Sequence, residues 1–455
     1  MAESNIVETG VHNYSAQENY VVPTDKAVQE KLEWFQDQKL ALMIHWGPYS
    51  QIGLVESWAL SEQDGAEWSR HDVDWTDDNA QFCKEYIDLN KTFNPIRFEP
   101  QKWADFAADN GFKYLIFTTK HHDGFCMWDT AYSDYKITAP DCPFHTNRYR
   151  DVVKEVFNAF RAKGIGIAAY FSKADWHISS YWNHALKGDQ LTSRGPTYNP
   201  KEHPEEWQKF KDFTKAQVLE LCQKYGDIDI LWFDAGWVCA ENGEDIELGN
   251  IVDEARKFQP GILSADRTVG GPYENYITPE QCVPDRPLFV PWESCVTAGT
   301  QFSYKFDDEY KSSAELLELL VDVVTKGGNL ALNIGPQPDG RLPRRAMQSV
   351  RGLGDWLKTY GEAIYGTRIC APYKVGNVGF TQKDKKIYVI FLHPNREEST
   401  ETFLIPYHEN PVKKVYWLPE NKLLPFETTE HGISVTLPKQ EKDQLPLAEV
   451  FRLEI

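Results

Sequence analysis

Short apolar runs alternate with longer amphipathic segments over residues 40–366, and this alternation constrains the fold more than any other feature of the sequence. Each apolar run is nearly continuous, which is typical of parallel strands buried on both faces. The amphipathic segments have the length and period of helices, and one begins with a capping box of Ser312 and Glu315. The predicted strands are residues 41–46, 114–119, 166–171, 228–234, 261–265, 288–292 and 330–334.

Alternating strands and helices predict a parallel sheet, and this number of units favours closure of the sheet into a barrel. An open doubly wound sheet is the alternative, but no GxGxxG or Walker pattern follows the first strand. We therefore predict a (β/α)8-like TIM barrel over residues 1–368 and a small antiparallel β-sandwich domain over residues 369–455. The second domain is indicated by five short β-like runs without helical segments between them, at 386–392, 402–405, 414–418, 433–437 and 448–455.

The chain carries 48 basic and 68 acidic residues, which gives a net charge of −20. Such a chain repels nucleic-acid phosphates and anionic lipids, and its basic residues are scattered. We therefore expect a neutral substrate and neither nucleic acid nor a membrane as a partner. The oligomeric state stays open, with a homo-oligomer as one option.

The N-terminal residues show no signal-peptide pattern, and no apolar stretch approaches the length of a membrane span. These features predict a cytoplasmic location, with a secreted or periplasmic protein that has lost its leader as the alternative. The eight cysteines form no CxxC pair, so we expect buried free thiols rather than a disulfide framework.

Polar and aromatic side chains stand at the ends of several predicted strands, where the active site of a barrel lies. The most distinctive is Asp234, which follows a largely apolar run and is flanked by Trp232 and Trp237. An ionised carboxylate among apolar side chains is costly unless it has a charged or hydrogen-bonding partner or serves in catalysis. We therefore predict that Asp234 is catalytic rather than an aspartate that caps a loop. The other candidates at strand ends are His45, His121, His122, Tyr170, Arg267 and Glu293.

Several of these residues have alternative roles. His121 and His122 are poor candidates for a metal site, because adjacent strand residues point in opposite directions and no third ligand follows at zinc spacing. We expect at least one of them to bind substrate hydroxyls. Arg267 has a structural alternative as the partner of a barrel carboxylate. Asp234 and Glu293 together fit the two carboxylates that flank a glycosidic bond in sugar-cleaving enzymes.

The order of the sequence motifs resembles that of one known enzyme family. The motifs are His-Trp-Gly at 45–47, KHHDGFCMWDT at 120–130, WFDAGW at 232–237, ENYITPEQ at 274–281, WESC at 292–295, GGNLALNIGPQPDG at 327–340 and GEAIYGTR at 361–368. In this order they resemble glycoside hydrolase family 29, the retaining α-L-fucosidases. The resemblance runs over residues 34–368 and continues more weakly through the C-terminal domain.

The resemblance implies that terminal α-L-fucosyl linkages of oligosaccharides or glycoconjugates are hydrolysed, with Asp234 attacking the anomeric carbon to form a covalent glycosyl-enzyme. It implies no metal and no organic cofactor. An apolar wall is expected beside the C5 methyl of fucose, from Trp232, Trp237 or Phe302. The pocket residues that match the family motifs are His45, His121, His122, Tyr170, Trp232 and Arg267.

The general acid follows from the resemblance less directly. The WESC segment looks like the acid/base segment, which favours Glu293. Family members often have adjacent Glu and Trp after the first strand, where this chain has Glu56-Ser57-Trp58, so Glu56 and Trp58 are expected as substrate contacts. Glu56 and Glu67 are the reserve candidates for the acid.

Two other functions compete with this interpretation. One is a related retaining glycosidase such as an α-galactosidase, and the other is a carbohydrate-binding protein with an inactive barrel. The linkage preference is not encoded in a readable way, and the loops at 56–70, 176–200 and 239–249 are its expected determinants.

Overall fold

The computed structural model describes residues 6–7, 12–62, 66–70, 73, 75–186, 193–393, 402–418, 420–437 and 446–455, without the side chains of residues 6–7 and 66–67. Seven parallel strands form one curled sheet with the order β5-β4-β3-β2-β1-β7-β6. The strands are β1 Leu40–Ile44, β2 Tyr114–Lys120, β3 Gly166–Ser172, β4 Ile230–Asp234, β5 Leu263–Asp266, β6 Glu293–Thr297 and β7 Asn329–Asn333.

An irregular segment, residues 274–281, joins the two edge strands of this sheet. The Asn275 amide donates to the Ser264 carbonyl of β5 at 2.8 Å, and the Glu293 amide of β6 donates to the Ile277 carbonyl at 2.8 Å. The segment therefore takes the place of an eighth strand and completes the ring. The predicted (β/α)8-like barrel is confirmed.

The helices of nine or more residues each bury a set of apolar side chains. In Val152–Arg161, for example, the buried side chains recur at helical spacing, as expected for a helix that packs on a sheet. The predicted capping box of Ser312 and Glu315 is present at the start of its helix. The helices are α1 Lys26–Gln38, α2 Ala66–Ser69, α3 Asn79–Ile87, α4 Pro100–Asp109, α5 Val152–Arg161, α6 Pro204–Lys224, α7 Leu248–Phe258, α8 Ser313–Thr325 and α9 Arg344–Tyr360. Among the described residues, no helix is long and apolar enough to cross a membrane.

Helix α1 closes the N-terminal end of the barrel. Its residues Val28, Leu32 and Phe35 belong to the same buried cluster as the inward-facing residues of the strands. The Phe35 ring stacks on Tyr276 with centroids 4.2 Å apart. Apolar side chains thus fill this end in the part of the chain that the structure describes, and the cavity lies at the opposite end, at the C-terminal ends of the strands.

One predicted strand, residues 288–292, is wrong. The strand begins instead at Glu293, which pairs with Asn329, the first residue of β7. Pro291 has no amide proton to donate to a strand neighbour, so the apolar run around it cannot continue the ladder. As a consequence, Glu293 lies at the N-terminal end of its strand, opposite to the end where it was expected.

The C-terminal part consists of two antiparallel sheets that share one apolar core. One has six strands in the order β8-β9-β10-β16-β12-β13, and the other has three in the order β11-β15-β14. The predicted β-sandwich is thus confirmed as a fold class, while the boundary between residues 368 and 369 stays a prediction. The strands are β8 Arg368–Val375, β9 Val378–Lys383, β10 Lys386–Leu392, β11 Thr402–Ile405, β12 Lys414–Leu418, β13 Lys422–Leu424, β14 Phe426–Thr429, β15 Gly432–Thr436 and β16 Ala448–Glu454.

Candidate active site

A cavity of about 650 Å³ opens at the C-terminal ends of the barrel strands. We call it the main pocket, and it brings together side chains from the strand ends and from the loops above them. Phe302 and Trp237, proposed as apolar walls, also line it. The other predicted site residues that line it are His45, Glu56, Trp58, His121, His122, Tyr170, Trp232, Asp234 and Arg267.

Asp234 is the last residue of β4, and both of its carboxylate oxygens have partners. Oδ1 lies 2.8 Å from Arg267 Nη1, and Oδ2 accepts a hydrogen bond from the Tyr170 hydroxyl. His122 Nε2 is 3.9 Å from Oδ2. Burial alone would raise the pKa of Asp234, but Arg267 and the Tyr170 hydroxyl, joined by His122 where acid protonates it, lower it below its ordinary value. The carboxylate is therefore ionised and held in one orientation.

Arg267, which follows β5, joins two carboxylates of the pocket. Nη1 pairs with Asp234, and Nη2 forms an ion pair with Glu280. The guanidinium lies over the Trp232 ring, 4.5 Å from its centroid. Burial alone would lower the pKa of Arg267, but Glu280 and Asp234 raise it, so the cation is permanent. Arg267 thus has the carboxylate partners that its structural alternative required, and these partners lie in the pocket.

Three histidines of the pocket are held through Nδ1. His45 Nδ1 lies 2.9 Å from Asn333 Oδ1, His121 Nδ1 lies 2.6 Å from Ser57 Oγ, and the Nδ1 atom of His122 has Ser172 Oγ as its partner at 2.7 Å. Burial lowers the pKa of His45 and of His122 to about 4, and it also lowers the pKa of His121. Neutral imidazoles with one ring nitrogen engaged keep Nε2 for a neutral hydroxyl.

The expectation that His121 and His122 point in opposite directions is wrong. Both line the pocket, with ring centroids 4.1 Å apart. The reason is that β2 ends at Lys120, so neither residue obeys the alternation of a strand.

The side-chain nitrogens of His121 and His122 and an oxygen of Asp234 lie within 4.8 Å of one another, close enough to hold a metal ion. Arg267 and the Tyr170 hydroxyl already bind the Asp234 oxygens, and the guanidinium would repel a second cation at this distance. The donor set therefore does not favour a metal. The expectation that the protein needs none stays a prediction.

Glu56 lies in the loop after β1 in a left-handed backbone conformation, with φ 42°. Its carboxyl accepts a hydrogen bond from the Ser303 amide at 2.6 Å. Burial raises the pKa of Glu56 to about 8, and the negative charges of Glu280 and Asp234 add to this. The group is therefore mostly protonated at neutral pH. Among the reserve candidates for the acid, Glu67 has a side chain outside the described residues.

Trp58 stands beside Glu56 and forms an aromatic wall. Its ring centroid is 5.3 Å from that of His122 and 5.8 Å from that of Trp237. The exposed Trp68 continues this wall outward at 6.0 Å. Flat rings with a polar edge suit the apolar face and the hydroxyls of a sugar.

The structure does not bring Glu293 into the pocket. Its carboxyl lies on the barrel floor, where it accepts hydrogen bonds from Trp232 Nε1 at 2.9 Å and from the Tyr114 hydroxyl. The side chain is 0% exposed, and burial raises its pKa to about 7. Because β6 begins at Glu293, this carboxyl faces away from the mouth where a glycosidic bond would lie.

A different carboxylate, Glu280, lies in the pocket where the acid was expected. Its side chain is 17% exposed, it pairs with Arg267, and His12 Nδ1 lies 3.4 Å from its Oε1. Glu280 belongs to the ENYITPEQ motif, but it stands on the irregular segment 274–281 rather than at a strand end. A search limited to the ends of predicted strands therefore misses Glu280. The sequence around His12 likewise contains no motif that predicts a position near the active site.

Comparison with known proteins agrees with this geometry. The alpha-L-fucosidase family model matches residues 8–362. The chain is 26% identical over 445 residues to a tissue alpha-L-fucosidase of Rattus norvegicus, which covers 93% of this chain and 89% of the relative. A plasma alpha-L-fucosidase of Homo sapiens is 27% identical over 438 residues, with 91% of this chain and 87% of the relative covered.

Solved structures give the same result. Alpha-L-fucosidase isoenzyme 1 from Paenibacillus thiaminolyticus superposes with a TM-score of 0.76 at 27% identity, covering 94% of this chain and 99% of that one. The alpha-fucosidase of Thermotoga maritima in complex with fucose superposes with a TM-score of 0.73 at 27% identity, covering 96% and 98%. The chain therefore belongs to the alpha-L-fucosidase family.

Proposed function

We propose that the protein is a retaining exo-α-L-fucosidase that removes terminal α-L-fucosyl units from oligosaccharides or glycoconjugates, with Asp234 as nucleophile and Glu280 as general acid/base. The observation that carries the proposal is the shared guanidinium: Arg267 binds both carboxylates at the mouth of the barrel. The relatives named as alpha-L-fucosidases and the Thermotoga maritima structure that contains fucose support the choice of sugar.

Glu280 replaces Glu293 in this proposal for a geometric reason. A general acid must reach the glycosidic oxygen while the nucleophile reaches the anomeric carbon. Glu280 and Asp234 line the same cavity and contact the same arginine, whereas Glu293 lies on the closed floor. Both carboxylates contact the same guanidinium and are therefore near each other, which suits a pair that acts on one glycosidic bond.

The first step forms a bond between an Asp234 oxygen and the anomeric carbon, while the bond from that carbon to the leaving oxygen breaks. Glu280, which pairs with Arg267 as a carboxylate in the free protein, must carry a proton when substrate is bound; it gives that proton to the leaving oxygen and becomes a carboxylate again. In the second step Glu280 takes a proton from water, the water oxygen attacks the anomeric carbon, and Asp234 leaves as a carboxylate. Two displacements give overall retention.

Arg267 suits this exchange of charge. When Asp234 becomes an ester it loses its negative charge at the moment when Glu280 gains one. The guanidinium contacts both groups and so has an anionic partner before and after the step. A preorganised cation of this kind needs no rearrangement during the reaction.

The pocket suits a neutral sugar. His45, His121 and His122 are uncharged at neutral pH, and the protonated Glu56 offers a hydroxyl donor. Trp232 and Phe302 give the apolar surface that a C5 methyl requires. The cavity lies above the end of the barrel that α1 closes, and a pocket of this kind is suited to a terminal sugar unit, which supports exo action.

The ionised Asp234, with its partners in place, argues against the alternative of a binding protein with an inactive barrel. The family match and the relatives argue against an α-galactosidase.

For the cellular location, we propose the cytoplasm, since all eight cysteines are free thiols and a reducing compartment keeps them so. Immunoblotting of fractionated cells of the source organism tests this, and recovery outside the cytoplasm contradicts it.

The nucleophile assignment is tested with an aryl α-L-fucoside. Asp234→Gly should lose turnover by several orders of magnitude, because no covalent intermediate can form. Added azide should restore turnover and yield β-L-fucosyl azide, since a small anion can attack from the vacated side. Full activity without azide, or rescue that yields the α-azide, contradicts the assignment.

A further inference from the structure

A second cavity, of about 230 Å³, adjoins the main pocket. We name it the side cavity. Its walls are the N-terminal segment at residues 15–21 and the loop after β5 at residues 268–274. Glu241 and Thr268 line both cavities, so the two are neighbours along a common wall.

The position of Glu280 determines on which side a leaving group must lie. The acid protonates the oxygen that joins fucose to the next unit, so that unit must stand next to Glu280. The N-terminal segment passes this point, with His12 Nδ1 3.4 Å from Glu280 Oε1, and it continues from there along the side cavity. The loop from Arg267 onward follows the same course. The leaving-group side of the pocket therefore leads toward the side cavity.

The wall of the side cavity is built around a buried carboxyl. Glu274, 3% exposed, accepts hydrogen bonds from Ser15 Oγ at 2.6 Å, from the Gly270 amide at 2.8 Å and from the Thr268 amide at 3.2 Å. These bonds tie the N-terminal segment to the loop and fix the distance between the two walls. The cavity is thus a preformed space.

The lining suits a hydroxyl-rich ligand. The Glu241 carboxylate and the Asn19 amide are exposed at the rim, and both can accept hydrogen bonds from hydroxyls. At Gly270 and Gly271, an added Cβ would meet nothing within 4 Å, so a ligand can approach the backbone there. A saccharide fits this combination of open backbone and side-chain acceptors.

We propose that the side cavity is a subsite for the leaving-group saccharide, that is, for the neutral sugar units to which fucose is attached. This proposal rests on the proposed fucosidase function. It assigns the N-terminal segment, and not only the barrel, to substrate selection.

The test compares two substrates on variants of two adjacent residues. Val21 lines the side cavity and is 41% exposed, whereas Val22 is 66% exposed and does not line it. Val21→Trp fills the cavity, and Val22→Trp is the matched control. The substrates are α-L-fucosyl fluoride, whose leaving group needs no saccharide subsite, and the fucosylated trisaccharide that the wild type hydrolyses fastest in a panel of linkages.

We expect Val21→Trp to lower kcat/KM for the trisaccharide about tenfold or more, the loss of one or two hydrogen bonds to the sugar. Its kcat/KM for fucosyl fluoride should stay within about twofold of the wild type, and Val22→Trp should match the wild type on both substrates. Asn19→Trp, from the same wall, should repeat the selective loss if Val21→Trp folds poorly.

Equal losses on both substrates, or no loss on either, would overturn the subsite. Failure of the wild type to hydrolyse fucosyl fluoride contradicts the fucosidase function instead, so the two proposals fail in different ways.

Discussion

Arg267 Nη1 lies 2.8 Å from Asp234 Oδ1 at the mouth of the barrel, and the same guanidinium pairs with Glu280 through Nη2. The nucleophile and the acid are therefore coupled through one cation. Because of this coupling, the kinetics of variants should distinguish the roles of Asp234, Glu280 and Glu293.

Replacement of Arg267 should impair the function of Asp234 and of Glu280 together. Arg267→Lys keeps a positive charge but cannot bridge two carboxylates in a planar fork. We expect kcat/KM of Arg267→Lys for an aryl fucoside to fall roughly 100-fold or more, because one ammonium group cannot replace both buried ion pairs, with Asp234 and with Glu280. In Arg267→Gln the pKa of Asp234 should rise, since its main cationic partner is gone. The acidic limb of the pH profile of kcat/KM should then move to higher pH.

Arg97→Gln is the control for these variants, because Arg97 is exposed and lies outside the pocket. An unchanged acidic limb in Arg267→Gln would contradict the coupling.

Glu280 and Glu293 can be distinguished by the leaving group. Glu280→Gln should lower kcat/KM about 10²–10⁴-fold for fucosides with poor leaving groups, which need a proton, and much less for dinitrophenyl fucoside. Glu293→Gln keeps the oxygen that accepts the hydrogen bond from Trp232 Nε1, so both substrates should be affected alike and modestly. If instead Glu293→Gln shows the strong dependence on the leaving group, the assignment of Glu280 is wrong.

The apolar pattern predicted the barrel well, because strands buried on both faces need continuous apolar runs. It misplaced β6 because the run at 288–292 contains Pro291, and the strand starts only where backbone amides are available again. That shift moved Glu293 from the mouth to the floor. Glu280 was not singled out because its segment is irregular and owes its position to hydrogen bonds with two edge strands, which no local pattern encodes.

The C-terminal strands show the same limit. All five predicted runs correspond to strands, but β8, β9, β13 and β14 were not predicted. β8 and β14 are partly exposed and alternate weakly between buried and exposed residues. Edge strands of this kind have too little apolar periodicity to be detected from sequence.

Glu293 should make stability depend on pH. Burial raises its folded-state pKa to about 7, above the ordinary value. The protonated form is favoured in the folded protein, so its contribution to stability is complete at low pH and is lost as pH rises toward and through 7. Relative to Glu293→Gln, which does not titrate, the wild type should lose about 3 kcal/mol of unfolding free energy between pH 4.5 and 8.

Urea denaturation of the wild type and of Glu293→Gln across this pH range measures the difference in unfolding free energy. The contributions of the other buried carboxyls are common to both proteins and cancel in this difference. A constant difference would show that Glu293 does not titrate with a raised pKa.

Metal removal should leave activity unchanged. His121, His122 and Asp234 could in geometry hold an ion, but Arg267 already neutralises the aspartate. We expect the same kcat/KM for an aryl fucoside before and after dialysis against EDTA, and no gain on addition of Zn²⁺ or Ca²⁺. Loss of activity on dialysis with recovery on addition of one of these ions would contradict this expectation.

Glu56 should define part of the basic limb of the pH profile. Burial raises its pKa to about 8, so that near neutral pH the carboxyl can donate a hydrogen bond to a sugar hydroxyl. As pH rises through about 8, Glu56 becomes an anion beside Asp234 and Glu280, and kcat/KM should fall. Glu56→Gln retains a donor that does not ionise, so the decline near pH 8 should disappear while activity near pH 6.5 stays within about tenfold of the wild type.

The matched control is Glu62→Gln, which lies in the same loop but outside the pocket and should keep the wild-type profile. If Glu56→Gln shows the same decline, Glu56 is not the group that ionises, and its raised pKa has no role in binding the sugar.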